Sequence, residues 1–510
     1  MNNVDRIYRL KVKRHQPFFG LFCLLLFFIL LAACVMPVER PTLTPQPPTD
    51  TPPVPTVTPT IVTRTPTALP TATPGIVATS PPDPLRTQYN LKTLFDPAAH
   101  HLKVAETIVY ANTSQVSIPD LVLLIEANRT PGVFQLDSIT WTDGTPVKHD
   151  KLTGAKLRIP LPDPLLPDAK TTINLTYQLF LPVRSSTLGA NQRQTNFGEW
   201  FPFVPHYQLG AGWLAYKPSG LGEYLAYDVA DYQVEIQLSD PKVKLVIAAN
   251  TKAEGDVEKG YHYRLEAARN FVWSASSQMQ VLKDTVGEVT LYAYIFPEDQ
   301  AAGKAALKIM REAIEVYSKR FGPYPHNSLT MVEASFFDGM EYDGLYLLDQ
   351  QYFTDYAGSP EGYLVTLNAH ETAHQWWYGL VGSDSDMEHW LDESLCTYSE
   401  LLFYEQVYPK EMDWWWQFRV HRFNPTGWVN STIYEPFGYR PYVNAVYLRG
   451  ALFLQALREQ VGDQVFFEFL KDYANRFRQG WATGADFFNV LGDHTQVDLT
   501  KLKEEYFKKP

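Results

Sequence analysis

Between residues 37 and 86 proline and threonine recur too densely for a core to form. Proline fixes its own φ and supplies no N–H, so neither helix nor sheet propagates there. The tract is expected to be extended and polyproline-like, on the order of 100 Å long if straight. Its threonines are open to glycosylation, which the sequence does not decide. The tract holds much of the proline in a chain with 38 such residues. It divides the 510 residues into a short leader and about 420 that can fold, enough for two domains.

The leader, residues 1–33, reads as a secretory signal. Arg6, Arg9, Lys11, Lys13 and Arg14 precede an uncharged apolar run from Phe18 to Ala33. At about 16 residues the run falls short of the roughly 20 that span a bilayer. Leu31-Ala32-Ala33-Cys34 resembles a bacterial lipobox. That resemblance implies cleavage before Cys34 and a lipid on its sulfur; the alternative is an uncleaved anchor helix. In either case the rest of the protein is expected outside the cytoplasm, attached to the cell membrane, with residues 34–86 a disordered linker. Cys23 leaves with the leader, so Cys396 is the one thiol of the folded part and a disulfide framework is excluded. Acidic side chains outnumber basic ones by 56 to 44, for a net charge of -12. Nucleic acid is therefore not an expected partner.

From about 87 to 285 apolar and polar residues alternate over short runs. Examples are Leu102 to Tyr110, Ile173 to Tyr177, Val234 to Leu238 and Val243 to Ile247. Period two marks half-buried strands, and Thr142-Asp143-Gly144 is one of the turn signals between them. The expectation is an α+β protein whose N-terminal β-sandwich or saddle-like domain carries no catalytic signature. The aromatic stretch from Trp200 to Pro205 reads as core or interface, with a ligand role as the sharper alternative.

Chemistry concentrates in residues 286–510, expected to be mainly α-helical. Ser359-Pro360-Glu361 has the order of a helix start. The helix is predicted to run through Leu364, Leu367, His370, Glu371, His374 and Trp377 toward Gly382. Two histidines four apart on a helix project from one face and can share a metal ion, with Glu371 beside them as a base for water. Eighteen residues separate His374 from Glu393, which lies in Trp390-Leu391-Asp392-Glu393-Ser394 at the opening of a second helical pattern. Two imidazoles and the Glu393 carboxylate leave a fourth position open, the arrangement of a catalytic zinc. Glu400, two turns further, is placed to hydrogen-bond a ligand imidazole.

His370-Glu371-x-x-His374 with Glu393 in Trp-Leu-Asp-Glu resembles the aminopeptidase N family of gluzincin zinc peptidases. Four further stretches match in order. Ala268 to Ser276 resembles the strand closing the N-terminal domain, and Phe321-Gly322-Pro323-Tyr324-Pro325 the stretch after the first catalytic-domain helix. Gly339-Met340-Glu341-Tyr342 resembles the Gly-x-Met-Glu-Asn exopeptidase motif. Tyr447-Leu448-Arg449-Gly450 resembles the Tyr-x-Lys-Gly segment. The resemblance implies a thermolysin-like catalytic domain binding one Zn2+ through His370, His374 and Glu393. It implies Glu371 as general base, Tyr447 as donor to the oxyanion and Glu341 as partner of a peptide's free amino end. The Gly339-Met340 backbone would lie along the substrate.

Tyr342 stands where that family has Asn, and Asp392 and Ser394 flank Glu393 in place of Asn and Gly. Gln194 is a candidate for completing the amine anchor. The chain stops where the family's catalytic domain usually ends, so the cleft is expected to be open. Two other readings stand beside this one. A thermolysin-like endopeptidase would carry Asn-Glu-x-x-Ser-Asp around the third ligand. A non-catalytic surface binding module would use the peptidase fold as a scaffold.

Overall fold

The computed structural model describes residues 85–508, apart from 224–225, 257–258, 337 and 436–437. The leader, Cys34 and the linker lie outside the described residues. Among the described residues no helix is long and apolar enough to cross a membrane.

The N-terminal half is built on a seven-stranded sheet. Its order is Glu254–Asp256, Gly260–Ala268, Ala230–Leu238, Thr87–Asp96, His101–Ala111, Lys170–Phe180 and Phe134–Trp141. All its pairings are antiparallel except that of Thr87–Asp96 with Ala230–Leu238. The alternation read from sequence becomes two faces. Leu91, Leu102, Val104, Ile108, Ile173, Leu175 and Tyr177 are buried, and their neighbours are more exposed. Two strand pairs, Ile118–Leu124 with Lys156–Leu165 and Tyr207–Gln208 with Gly212–Trp213, and a four-stranded sheet complete the described part of this half. Trp200, Phe201 and Phe203 are core. The Trp200 indole donates to Phe271 O at 2.8 Å, so the apolar reading of that stretch is the one realised.

The second sheet has five strands, in the order Gln280–Val286, Val289–Ile295, Ser328–Ala334, Leu345–Asp349 and Gly339–Tyr342. It begins at Gln280, so its first strand lies before the boundary of 286 expected from sequence. Ser328–Ala334 is central, parallel to both neighbours and buried at every position, as a strand covered on both faces must be. Leu329 and Met331 pack into the helical core, and Val332 and Ala334 into the β-domain core. The long helix Gln300–Phe321 is fastened to the functional helices by side chains. Tyr317 Oη donates to Ala369 O and Ser399 O, both at 3.0 Å, and Ala306 O accepts from Asn368 at 2.8 Å.

Candidate metal and catalytic site

The helix carrying His370 spans Tyr363–Ala373 and is buried on all sides from Leu364 onward. It starts later and ends earlier than its sequence suggests. Ser359 accepts from Glu361 N at 3.1 Å in a turn outside the helix. Beyond Ala373 the backbone bonds widen, Gly379 N to His374 O and Val381 N to Trp376 O, and Tyr378 sits at φ 125°. The apolar pattern overran the helix because Trp376, Trp377 and Leu380 are buried by the core in non-helical chain. The second helix, Trp390–Val407, packs beside the first and carries Glu393 in its first turn.

His370, His374 and Glu393 each offer one donor atom within 4.8 Å of the others, and the imidazole centroids are 4.8 Å apart. Glu393 Oε2 lies 3.0 Å from His370 Nε2 and 3.9 Å from His374 Nε2. Each imidazole's other nitrogen meets a carboxylate. Glu400 Oε1 is 2.8 Å from His370 Nδ1, and Asp392 Oδ1 is 2.7 Å from His374 Nδ1. Such outer carboxylates fix ring orientation and leave the inner nitrogens for a metal. Glu400 in turn accepts from the Trp415 indole at 3.0 Å and the Arg419 guanidinium at 2.8 Å. Burial alone would raise the Glu400 carboxyl; Arg419 and His370 outweigh it and hold it below the usual range.

Glu371 projects from the same helix, with Oε2 unpaired. Burial pushes its carboxyl up to about 8, against the pull of His374 and His370. Gly339 lies directly against it: a β-carbon there would sit 2.0 Å from Glu371 Oε1. Glu341 is 2% exposed with Oε1 unpaired, 4.0 Å from the His374 ring. Burial, then the charges of Glu223, Asp392, Glu393 and Glu371, push it well above the carboxylate range. Met340 is buried between them in sequence. Tyr447 donates to Glu393 Oε1 at 2.8 Å and lies parallel to the His370 ring. Gln194 is elsewhere. It donates to Ser274 Oγ and Glu333 O and accepts from Ser335 N, so it joins the two domains and is no amine anchor.

Reading the sequence missed His389, Glu223 and Arg419. His389 is fully buried, with Nδ1 2.6 Å from Tyr442 Oη and Nε2 3.0 Å from Glu223 Oε2. It brings a carboxylate of the β domain to the edge of the metal centre. Its place four residues before Glu393 on the helix was the one available signal. The residues present fit a divalent cation. Two inner imidazole nitrogens and a carboxylate converge, and among the described residues only Glu400 of the five buried carboxyls around them has a permanent cation within bonding distance.

Two histidines one turn apart, a carboxylate from the neighbouring helix and an unpaired glutamate define the donor set and base of the zinc-peptidase class. Residues 305–506 match the profile of the peptidase family M1 domain. The chain is 25% identical over 248 residues to Probable aminopeptidase 2 of Sulfurisphaera tokodaii, covering 46% of this chain and 32% of the relative. It is 27% identical over 226 residues to Aminopeptidase N of Lactobacillus helveticus, covering 40% and 26%. The chain thus spans about a third of the length of the curated relatives it matches. A mutant M1 zinc metallopeptidase of Deinococcus radiodurans superposes with a TM-score of 0.57 at 19% identity, over 83% of this chain and 96% of that one. The fold is therefore that of the M1 metallopeptidases, a β-rich domain followed by a helical one.

Proposed function

We propose that the protein is a zinc-dependent aminopeptidase, held outside the cytoplasm by a lipid on Cys34. The observation that carries the reading is Glu341. Its donor atom lies within 4.8 Å of those of Glu371 and His374, and its Oε1 is buried without a partner. A peptide's free amino group fits that carboxylate, and an interior residue of a longer chain would bring no charge to it. The strand Gly339–Tyr342 is the edge of its sheet, so its outer backbone is available to an extended substrate. His370, His374 and Glu393 would hold the zinc, which would supply Lewis acidity at the scissile carbonyl. Glu371 takes a proton from water and returns it to the leaving amine. Tyr447 turns its hydroxyl from Glu393 to the oxyanion.

The relatives' names support the exopeptidase class, and the Deinococcus enzyme is described with a Tyr-Ser-Ala substrate. The basic leader, short apolar run and Leu31-Ala32-Ala33-Cys34 support the lipid anchor. A peptide-library digest read by mass spectrometry, with amino-acetylated controls, tests the reaction. Free peptides should lose N-terminal residues in a chelator-sensitive way, and Glu371→Gln should slow this by about 10²–10⁴-fold. Cleavage of acetylated peptides at the same rate would replace the reading with an endopeptidase. Lipid labelling of the full chain in bacteria, lost in Cys34→Ala, tests the anchor.

A further inference from the structure

The two oxygens of Glu393 have different neighbours. Oε2 lies 3.0 Å from His370 Nε2 and 3.9 Å from His374 Nε2, whereas Oε1 lies 3.6 Å from His389 Nε2 and accepts from Tyr447 at 2.8 Å. Glu223 Oε2 is 3.0 Å from that same His389 nitrogen. Glu223, His389 and Glu393 thus each offer one donor atom, all within 4.8 Å of one another, and the spacings repeat those of the first donor set. The other ring nitrogen of His389 is also held, 2.6 Å from Tyr442 Oη. An Nδ1–H donating to that hydroxyl leaves the Nε2 lone pair for a metal, as Asp392 does for His374. Among the described residues neither Glu223 nor Glu393 has an arginine or lysine within ion-pair distance. Arg129 and Arg184, which share a cavity wall with Glu223, pair with Glu126 and donate to Thr130 instead. The Glu223 side chain is 23% exposed, so an ion can reach it from solvent.

We propose that Glu223, His389 and Glu393 form a second zinc site beside the first, with Glu393 as the carboxylate common to both. The inference rests on the aminopeptidase reading, in which His370, His374 and Glu393 hold the first ion. One imidazole and two carboxylates suit zinc, whereas magnesium and calcium take oxygen donors. The ion displaces the hydrogen that His389 otherwise shares with Glu223. It takes the Glu393 oxygen on which the Tyr447 hydroxyl rests. It also adds positive charge near Glu341, since Glu223 is close enough to act on that carboxyl. Filling the site should therefore oppose the amino group of a substrate and raise KM.

The test is a zinc titration of the full chain by equilibrium dialysis, with metal content read by mass spectrometry. The wild type should hold one tight equivalent and a second, weaker one. Glu223→Gln, a change at the partly exposed ligand, should keep the first equivalent and lose the second, and His389→Gln should do the same. Cobalt(II) supplies a readout that misfolding does not mimic. A carboxylate common to two cobalt ions couples their spins, so the paramagnetic-resonance signal of the one-cobalt protein should change as the second equivalent enters. On aminoacyl-anilides the second equivalent of zinc should raise KM in the wild type and not in Glu223→Gln. A single equivalent in the wild type, or a second that persists in Glu223→Gln or leaves KM and the cobalt signal unchanged, would overturn the proposal and leave the aminopeptidase standing. Absence of any bound zinc would sink both.

Discussion

Tyr447 shares its hydroxyl hydrogen with Glu393 in the absence of substrate, and burial with the Glu393 charge raises that phenol well above its ordinary range. It is therefore a neutral donor throughout working pH. Tyr447→Phe should lower kcat about 10²–10³-fold with KM and zinc content unchanged, the loss expected of one oxyanion donor. A change in KM alone would place Tyr447 in ground-state binding. Glu400 acts at one remove, through His370. Glu400→Gln weakens the carboxylate that orients the imidazole, and zinc affinity should fall about 10–100-fold in a competition titration. The residues of these two predictions were legible in sequence for different reasons. His370, Glu371, His374 and Glu400 are fixed by helical periods of four and seven residues, which convert sequence spacing into spatial proximity. Tyr447 needed family resemblance. His389 offered only its place four residues before Glu393, because its partners, Glu223 and Tyr442, lie 166 and 53 residues away.

Two short π-helical segments explain how side chains so distant in sequence reach the metal centre. Asn444–Leu448 carries Tyr447, and Trp416–Val420 carries Arg419, which grips Glu400. A widened turn changes the angle at which later side chains leave the helix, and such turns recur at functional sites. No residue pattern announces one, so sequence spacing gives the helices here but not their phase. The first π segment is braced by Ser394, the neighbour of Glu393, which donates to Val446 O at 2.6 Å. Gly450 makes room for this contact: a β-carbon there would stand 1.9 Å from Ser394 Oγ. Gly450→Ala should therefore displace the start of the Glu393 helix. Overpacking costs about 1–3 kcal/mol of stability, and zinc affinity should fall with it. Ser394→Gly in the same chain removes the obstructing hydroxyl. A double-mutant cycle should show the two changes strongly coupled, and additive losses would mean that the helices do not touch as described.

At the scale of the whole molecule, Arg269 decides whether the two domains act as one. Residues Ala268 to Ser276 were recognisable as the end of the β domain, yet nothing in that stretch says that its arginine crosses to the other side. The guanidinium is fully buried and donates to Tyr378 O, Gly379 O and Gly480 O of the catalytic domain and to Tyr227 O of its own. Its backbone N donates to Asp343 Oδ2 at 2.9 Å, and Asp343 lies two residues beyond Glu341. The bolt between domains is thus also a support for the strand proposed to receive substrate. Arg269→Leu keeps much of the volume and leaves four carbonyls without their donor. A buried acceptor left without its donor costs about 1–3 kcal/mol, so chemical denaturation should show a loss of at least that size. Lysine should not restore it, since a single ammonium cannot reproduce the planar fork. The functional readout separates domain docking from metal chemistry. His370, His374 and Glu393 make no contact with Arg269, so zinc content should persist, whereas KM for tripeptides should rise as the loosened interface shifts the residue 269 backbone N–H that holds Asp343 beside the Gly339–Tyr342 edge. Loss of zinc with unchanged KM would place the effect of Arg269 in the metal centre and dissolve the link between the domain interface and substrate binding.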